Sequence, residues 1–519
     1  MLLCPLVLAA FACNSSKPLP RTLGTPPAPS RTAADVTTAA PSAMAPAVTA
    51  AAANSGAAPE PSAAPCQALR PIGNASFSPD GRSLVTTCAY REGCADGAHR
   101  NDFVDVWSLE QGTIARSLAT SLPDVVSLQW GTGGWLATIA NPTTGTCDVR
   151  LFSPGRFDLK QHMDFYCVSG SDFDASGATF AVAGCDGEVA TISTTTGHRR
   201  DRPVTEAHLG GDYGVDVRFS ANGKALFVDD QYQGFQVLDP STLRQRSKPA
   251  PPPSGSACSA FSPNRQSLAI GSVDGALVVL DTQRPGTFRQ LSAPSTSQCV
   301  MLQWLDAKRF VVALSNGEVA LWDVAGAAVS RPLPTLPGAT AVATLAVSPA
   351  GTFVAAEDSV GTIVVWDLAR SQRRELVPAG APDPPSAAVA WSPNGDRLAA
   401  FTSDRVMVWD ARSFAKVAEL RVQSSARHVL AWSPDSAVLA VPDSTVRLLR
   451  VADAATVTLA VVDDNGRRTG LVGTAGGLYS GASELSACVV PDGVPVSKRA
   501  QRPDLLARFF SGATLDPTP

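Results

Sequence analysis

The sequence has few charged residues. Asp, Glu, Lys and Arg make up 17% of the chain, against roughly 25% in average soluble domains. The formal net charge is -4, and no Lys-rich or Arg-rich run occurs. Because proteins that bind nucleic acids present a basic stripe or patch, the sequence predicts no nucleic-acid partner. The surface is expected to be largely neutral and polar.

The sequence motifs of common enzyme classes are also missing. The chain has no G-x-S-x-G nucleophile elbow, no H-E-x-x-H zinc motif and no phosphate-binding loop. Its five histidines lie far apart along the chain, at His99, His162, His198, His208 and His428. We therefore predict a protein with no catalytic residues, no metal site and no cofactor.

Long apolar runs are missing as well, because no segment has 18 consecutive apolar residues. The N-terminus has a shorter run from Leu2 to Ala12, which fits the hydrophobic region of an export signal. This segment resembles a bacterial lipoprotein signal, since Ala12 precedes Cys13 and small polar residues follow. The resemblance implies a signal peptide in residues 1–12 and a lipid anchor on Cys13. A cleaved soluble export signal and a structural apolar N-terminus remain alternatives.

A linker is expected after the signal. Residues 17–65 are rich in Ala, Pro, Thr and Ser and show no apolar periodicity. Such a segment buries too little apolar surface to offset the entropy of ordering. We predict a lipid-anchored, disordered linker over residues 13–65, which would hold a globular domain clear of a membrane.

One phrase recurs nine times in the rest of the chain. It consists of an apolar strand, a turn of the Ser-Pro-Asp-Gly type and a second apolar strand, and the copies are spaced by about 41 to 53 residues. The copies occupy residues 76–86, 129–139, 172–182, 218–228, 260–270, 303–313, 346–356, 390–400 and 431–441. In three copies a third strand ends in Trp-Asp, at Trp322-Asp323, Trp366-Asp367 and Trp409-Asp410.

These repeats resemble the WD40 family over residues 76–453. Each unit is expected to form four antiparallel strands, and neighbouring units would cover its two faces by radial packing. The resemblance implies an all-β, WD40-like β-propeller of about nine four-stranded units over residues 66–460. A single ring of nine is favoured, with eight blades plus an extra unit, or two smaller rings, as alternatives. Residues 461–519 are predicted as a C-terminal extension with short strands and a terminal helix.

The tryptophans follow the repeat. Four end third strands and four stand at the end of inner strands, so we interpret them as packing between blades rather than as binding residues. The first set is Trp107, Trp322, Trp366 and Trp409, and the second is Trp130, Trp304, Trp391 and Trp432. Trp135 stands apart from both sets.

The cysteines gather in the loops of one face of the predicted disc. In an exported protein this pattern indicates disulfides. The predicted bonds are Cys88 with Cys94, Cys258 with Cys299, and a pair drawn from Cys147, Cys167 and Cys185. Buried thiols are one alternative, and a metal site formed by Cys88, Cys94 and His99 is another.

Loop variation supplies the candidate binding residues. The first unit carries the longest insertion, residues 88–102, with Tyr90, Arg91 and His99, and the fourth unit carries Tyr232. All four are expected on the cysteine-rich face, and we predict that a protein partner contacts them. Exposed loops without a function are the alternative.

Together these features predict a non-catalytic, membrane-tethered scaffold that binds other proteins in the bacterial cell envelope, facing the periplasm or the exterior. The membrane would be reached only through the N-terminal lipid. A carbohydrate- or envelope-polymer-binding propeller, an extracytoplasmic propeller enzyme and a cytoplasmic WD-repeat scaffold are the alternatives.

Overall fold

The structure is a computed structural model that describes the chain between residues 69 and 515, with gaps. The residues left out within that range are 71, 89–102, 120–124, 141–145, 166–167, 186, 203–214, 231–233, 248–255, 285–286, 292–295, 325–330, 334–341, 379–387, 403, 423–428, 444, 465–466, 475–477, 481–499 and 514. The predicted signal and linker lie outside the described residues.

Nine sheets, in each of which the first four strands are antiparallel, follow a short first strand, β1 (Leu69–Arg70). Blade 1 contains β2 (Ile72–Phe77), β3 (Ser83–Cys88), β4 (Phe103–Ser108) and β5 (Thr113–Ala119). Blade 2 contains β6 (Val125–Trp130), β7 (Leu136–Ala140), β8 (Cys147–Phe152) and β9 (Leu159–Phe165). Blade 3 contains β10 (Val168–Phe173), β11 (Thr179–Gly184), β12 (Val189–Ser193) and β13 (Arg199–Arg202). Blade 4 contains β14 (Val215–Phe219), β15 (Leu226–Asp230), β16 (Gly234–Leu238) and β17 (Gln245–Ser247).

The next four sheets repeat the same order of strands. Blade 5 contains β18 (Ser256–Phe261), β19 (Ser267–Ser272), β20 (Leu277–Asp281) and β21 (Phe288–Leu291). Blade 6 contains β22 (Cys299–Trp304), β23 (Arg309–Leu314), β24 (Val319–Asp323) and β25 (Arg331–Pro332). Blade 7 contains β26 (Val342–Val347), β27 (Phe353–Asp358), β28 (Ile363–Asp367) and β29 (Gln372–Val377). Blade 8 contains β30 (Val389–Trp391), β31 (Arg397–Thr402), β32 (Arg405–Asp410) and β33 (Lys416–Arg421).

Blade 9 is larger than the others. It begins with β34 (Ala431–Trp432), β35 (Val438–Asp443), β36 (Thr445–Arg450) and β37 (Ala455–Asp464), and its sheet continues through β38 (Arg467–Gly473), β39 (Leu478–Ser480) and β40 (Ala500–Gln501). The only helix among the described residues, α1 (Leu505–Phe510), follows. Strand β37 pairs with β36 through its first half and with β1 at Val461 and Val462. It therefore spans the predicted start of the extension at residue 461.

The first strand of each blade lies on the inside of the ring. Inner strands of neighbouring blades contact one another, as β10 does β14 and β22 does β26, and β2 contacts β34 and β35. The last blade thereby meets the first. The predicted all-β propeller with a single ring of nine four-stranded blades is confirmed.

Burial follows strand position within each blade. In blade 7, every residue of the third strand β28 is buried, whereas four of the six residues of the outer strand β29 are exposed. The middle strands are covered on both faces by neighbouring blades, so their side chains are apolar in both directions. The outer strand meets solvent and carries Gln, Arg and Glu.

Two faces of the ring are distinguished by their turns. Because the strands are antiparallel, the connections after the first and third strands lie on one face, and those after the second and fourth lie on the other. We name them the lower face and the upper face, respectively. The upper face is the one on which the sequence places the cysteines.

Inner strands that end in tryptophan are joined to the preceding blade by a recurring hydrogen bond. The indole N–H donates to the next-to-last residue of the neighbouring inner strand. The bonds run from Trp130 to Ser76 Oγ (3.2 Å), from Trp304 to Ala260 O (2.7 Å), from Trp391 to Ala346 O (3.1 Å) and from Trp432 to Ala390 O (3.2 Å). We call each of these a tryptophan clamp. The predicted packing of these residues between blades is accompanied by a polar bond that the sequence did not predict.

Replacing Trp391 with phenylalanine should destabilise the protein by more than the same change at Trp322. Both indoles are buried, but Trp391 satisfies the backbone carbonyl of Ala346. Among the described residues, Trp322 Nε1 has no hydrogen-bond partner. Removing a buried acceptor's partner costs about 1 to 3 kcal/mol, whereas removing an unpaired donor does not. Chemical denaturation of the two variants measures the difference, and equal losses would refute the clamp.

The outer strands make a second set of contacts between blades. A side chain on an outer strand donates to a backbone carbonyl in the third-to-fourth turn of the next blade. Gln161 reaches Gly197 O at 2.7 Å, Arg289 reaches Val324 O at 2.6 Å, Arg374 reaches Ser413 O at 3.0 Å, and Arg116 reaches Arg156 O. Blades 1 and 2, 5 and 6, and 7 and 8 are thus bonded both at the inner strand and at the rim.

The junction between blade 9 and blade 1 is closed by the C-terminal segment. Leu505, Leu506 and Phe509 of α1 are fully buried in one apolar cluster with Trp107 of blade 1 and Leu448 of blade 9. Strand β38 also packs against β5 of blade 1.

Close contact with blade 1 requires a glycine in β38. A Cβ on Gly470 would lie only 2.5 Å from Trp107 Cζ3, so a larger residue would separate the strand from the blade. The C-terminal segment from β38 to α1 therefore packs against both blades at the ring junction.

Arg450 bonds the helix to blade 9. Its guanidinium donates to Phe509 O at 2.5 Å and to Ala513 O at 3.1 Å, and it pairs with Asp453. The same group lies 5.3 Å from the centre of the Phe509 ring. One buried arginine thereby satisfies the carbonyls at the end of α1.

Candidate functional site

The predicted partner-binding residues lie outside the described residues. Tyr90, Arg91 and His99 fall in the gap at 89–102, and Tyr232 falls in the gap at 231–233. Their role stays a prediction. The described part of the upper face is formed by the turns between second and third strands and by the upper ends of the inner strands.

One predicted disulfide is present on this face. Cys258 on β18 and Cys299 on β22 are bonded, with Cα atoms 5.8 Å apart, and so join the inner strands of blades 5 and 6. Each cysteine adjoins an irregularity in its ladder, between Ser256 and Cys258 and between Cys299 and Met301. Pairing of two cysteines 41 residues apart depends on the radial packing of adjacent blades.

The disulfide fills the space beside β19. A Cβ on Gly271 would lie 2.6 Å from Cys299 Sγ and 2.7 Å from Cys258 Sγ. Gly271 is followed directly by the upper turn that contains Val273 and Asp274. The bond therefore supports the turns above it as well as the blade junction.

The other cysteine predictions have different outcomes. Cys185 is disulfide-bonded. Cys147 is a correction, because it is a buried thiol that accepts a hydrogen bond from Val168 N at 3.2 Å, and burial raises its pKa. The other predicted residues, Cys94, Cys167 and the side chain of Cys88, lie outside the described residues, and the pairs that involve them stay predictions.

The large exposed apolar side chains divide into two groups. Leu159, Phe288 and Val417 lie singly on the outer strands of blades 2, 5 and 8. Val273, Val300, Val360 and Val429 lie on the upper face, the first three in consecutive blades 5, 6 and 7. Single exposed apolar residues are ordinary, whereas three valines in consecutive blades share the upper face. Trp135 is partly buried in a core cluster and forms no exposed stacking platform.

A buried charge pair lies toward the lower end of the inner strands. Arg265 Nη1 and Nη2 contact Asp172 Oδ2 and Oδ1 at 2.8 and 3.1 Å, and Phe219 N donates to Asp172 Oδ2 at 2.9 Å. The contacts join blades 3, 4 and 5, whose inner strands end in phenylalanine and therefore donate no tryptophan clamp. Asp172 is only 5% exposed.

Arg265 is a residue whose role the sequence analysis missed. It has a φ of 52° at the turn position that glycine occupies in six other blades. An arginine in this backbone conformation is unfavourable, and the replacement of Gly by Arg in Ser-Pro-Asn-Arg was a signal of a special role. The cost is offset by the bidentate pair with Asp172.

Asp216 lies near this pair on β14. Burial raises the pKa of Asp216, Arg218 at 2.8 Å opposes the rise, and the charge of Asp172 adds to it. The side chain still exposes 36% of its surface, which limits the size of the effect. An acid whose pKa is raised by folding stabilises the folded state when protonated and costs stability once ionised.

The change Asp216→Asn should therefore become more favourable as the pH rises. The difference in melting temperature between Asp216→Asn and the natural protein should be more positive at neutral pH than at a pH below the ordinary aspartate pKa of ~4. Asp239 is the matched control, because Ser241 and Arg246 lower its pKa to about 2. Asp239→Asn should lose stability at neutral pH and lose less in acid. Thermal unfolding at both pH values measures the trend, and a flat difference for Asp216→Asn would contradict it.

His162 in blade 2 lies in a cluster of charged side chains. His162 on β9 lies 3.2 Å from Asp148 and 3.4 Å from Asp164, and Asp148 is also bound by Arg150. Across the residues for which the structure gives positions, no group of three His, Cys, Asp or Glu side chains has the arrangement to hold a metal ion. In the same part of the chain, no helix combines the length and apolar character needed to cross a membrane.

Comparison with known proteins gives distant similarities. No protein-family model matches the chain. The transcriptional corepressor LEUNIG_HOMOLOG of Arabidopsis thaliana is 24% identical over 218 residues, which is 42% of this chain and 27% of the corepressor. The chain thus matches only about a quarter of that relative's length.

Among solved structures, the chain is similar to a computationally designed protein, Ika8, with 19% identity and a TM-score of 0.45, covering 69% of this chain and 98% of that one. It is also similar to the C-terminal WD40 domain of Sif2, with 12% identity and a TM-score of 0.45, covering 80% of this chain and 98% of that domain. The fold is established by the nine sheets and by the order of strands within each sheet, independently of these similarities. The protein is a nine-bladed β-propeller.

Proposed function

We propose that the protein is a non-catalytic scaffold of the bacterial cell envelope, tethered to a membrane by a lipid on Cys13 and holding a protein partner on its upper face. The observation that carries the proposal is the set of exposed valines on the upper face of a ring whose neighbouring blades are bonded to one another. A rigid disc with an apolar contact surface is suited to binding a partner without a large change of shape.

The disulfides support an address outside the cytosol. Cys258–Cys299 joins adjacent blades, and Cys185 is also disulfide-bonded. Structural disulfides persist in oxidising compartments and are rare in the cytosol. This chemistry agrees with the lipoprotein-type signal at residues 1–13 and favours the envelope over a cytoplasmic scaffold.

The described side chains favour a protein partner over a polymer. Stacking on sugars needs exposed aromatic faces, and the large exposed apolar residues of the described upper face are all valines. Catalysis would need a nucleophile or base in a pocket. The buried charges at Asp172 and Arg265 are instead used to join blades.

The first experiment measures the intact mass of the mature protein from its native membrane fraction, with and without the substitution Cys13→Ala. We expect a chain that begins at Cys13 and carries the mass of a diacylglycerol-type lipid, and we expect the variant to leave the membrane. A full-length chain in the cytosol would overturn both the anchor and the envelope address.

Docking is tested separately by photo-crosslinking in the native host. A photoreactive residue at Val300 on the upper face should give discrete protein adducts. The same residue at Leu159 on an outer strand is the control, because its side chain is 48% exposed but stands alone. Equal yields of protein adducts from the two positions would contradict docking on the upper face.

A further inference from the structure

We infer that the described upper face of blades 5 to 7 is a docking surface for an extended protein segment that carries both basic and aliphatic side chains. The inference rests on the proposed scaffold function and adds the position of the surface and the chemistry of the partner. We call this surface the valine patch, defined by Val273, Val300 and Val360, whose exposed fractions are 46%, 36% and 42%.

Val360 breaks a local rule of turn chemistry. The upper turns of blades 5, 6 and 7 align at Gly275, Gly317 and Gly361, each with positive φ. The residue before the glycine is Asp274 in blade 5 and Asn316 in blade 6, residue types that hydrogen-bond within such turns. Both accept a backbone N–H of their own turn. In blade 7 this position holds Val360, which accepts none.

The turn of blade 7 is stabilised in another way. Asp358, two residues earlier, accepts hydrogen bonds from Val360 N at 3.0 Å and from Thr362 N at 2.8 Å. The side chain of Val360 therefore makes no hydrogen bond in the turn, and only its backbone N–H takes part. An exposed apolar residue that breaks a local rule without a local gain indicates a function at that position.

Val273 and Val300 are supported from below by the disulfide. Val300 follows Cys299 directly in β22, and Val273 lies two residues after Gly271, which packs against both sulfur atoms. A covalent bond between the two inner strands fixes the spacing of these side chains across the junction of blades 5 and 6. A preformed surface loses less entropy when a partner binds.

The charges around the valine patch are of one sign. Among the described side chains of the upper face in blades 5 to 7, the exposed charged groups are Asp274 and Glu318, with Glu375 at the upper end of the outer strand β29. Glu357 and Asp358 are buried beneath them. Described basic side chains of these blades lie on the lower turns and along the outer strands. A partner with Lys or Arg beside aliphatic side chains complements such a surface.

The test uses short synthetic peptides as probes and the purified, oxidised full chain. Peptides of alternating Lys and Val, Lys and Ser, and Glu and Val are compared by fluorescence anisotropy. We expect the Lys-Val peptide to bind, the Lys-Ser peptide to bind at least about tenfold more weakly, and the Glu-Val peptide not to bind. No binding of the Lys-Val peptide, or equal binding of the Lys-Ser peptide, would overturn the inference.

The variants are taken from the neighbouring blades so that they fit the turns. Val360→Asn copies Asn316, and Val273→Ser copies Ser315 and Ser359 at the same position. Each substitution should weaken binding of the Lys-Val peptide by about tenfold without lowering the melting temperature of the protein. Val417→Ser, an exposed valine on an outer strand of blade 8, is the matched control and should have no effect. An equal loss in the control would show that the valine patch is not the site.

The outcome is separable from that of the proposed function. The Lys-Val peptide could fail to bind while the chain is lipidated and Val300 gives protein adducts. That combination would keep the proposed envelope scaffold and reject only a partner with basic and aliphatic side chains. Serine substitution of both Cys258 and Cys299 should weaken the Lys-Val peptide as well, and unchanged binding would reject the role of the disulfide in supporting the valine patch.

Discussion

Replacement of Phe509 by alanine is expected to lower the free energy of unfolding by about 3 to 5 kcal/mol. The side chain is fully buried in the cluster that joins α1 to blades 1 and 9. Its ring also lies beneath the guanidinium of Arg450. Because these two blades are the ends of the repeat array, the cavity would weaken the junction that closes the ring. Equilibrium chemical denaturation measures the loss.

Phe288→Ala is the matched control for this change. Phe288 lies on the outer strand of blade 5 with 46% of its surface exposed, so the same truncation should cost well under ~1 kcal/mol. Limited proteolysis gives a second readout, since an opened junction should expose the segment around α1 to cleavage first. A loss for Phe509→Ala no larger than that of the control would show that the helix does not close the ring.

Replacement of Asp172 by alanine is expected to be similarly damaging, at about 3 to 5 kcal/mol. The change would leave Arg265 without its carboxylate and Phe219 N without its acceptor, in a site where the side chains of Asp172 and Arg265 are 7% and 25% exposed. Breaking one side of a buried pair costs more than the pair contributes, because the remaining charge stays desolvated.

The double variant Asp172→Ala with Arg265→Gly should recover much of that loss. Ala260 and Ala346 stand at the position of Asp172 in their own inner strands, and glycine stands at the position of Arg265 in six other blades. The double variant therefore removes both charges and the strained arginine together. Denaturation of the two single variants and the double variant yields the coupling energy. Additive losses would contradict a direct pair.

A surface pair provides the comparison. Arg309 and Asp306 lie 2.7 Å apart in a turn of blade 6, with side-chain exposures of 39% and 41%. Their coupling should be about 0.2 to 1 kcal/mol, as is usual for exposed pairs. A coupling at Asp172 and Arg265 no greater than this would show that burial adds nothing to the contact between the blades.

The repeats made the blade architecture predictable. Alternating apolar residues and Asp-Gly or Asn-Gly turns are local signals, so four strands per unit and nine units could be read from short windows of sequence. The disulfide between Cys258 and Cys299 was also predicted, because both cysteines occur at the start of adjacent inner strands and follow the period of the repeat.

Contacts specific to single blade junctions were not predictable in the same way. Residues at equal repeat positions have different roles, as with Asp172, whose carboxylate binds Arg265, and Ala346, whose backbone carbonyl accepts from Trp391. The correction at Cys147 has the same origin. Its position in the repeat fitted a loop cysteine, but its side chain points into the core cluster of blades 2 and 3.

The sequence by itself determined the nine repeat units and the order of strands within each unit, because these follow from alternation and turn chemistry over a few residues. Closure of the nine units into a single ring was decided by the tertiary structure. Only the tertiary structure decided which side chains join the blades. Arg265 reaches Asp172 across 93 residues, and Phe509 reaches Arg450 across 59. Such pairs depend on how the closed ring places the sheets beside one another, and that placement cannot be predicted from local sequence.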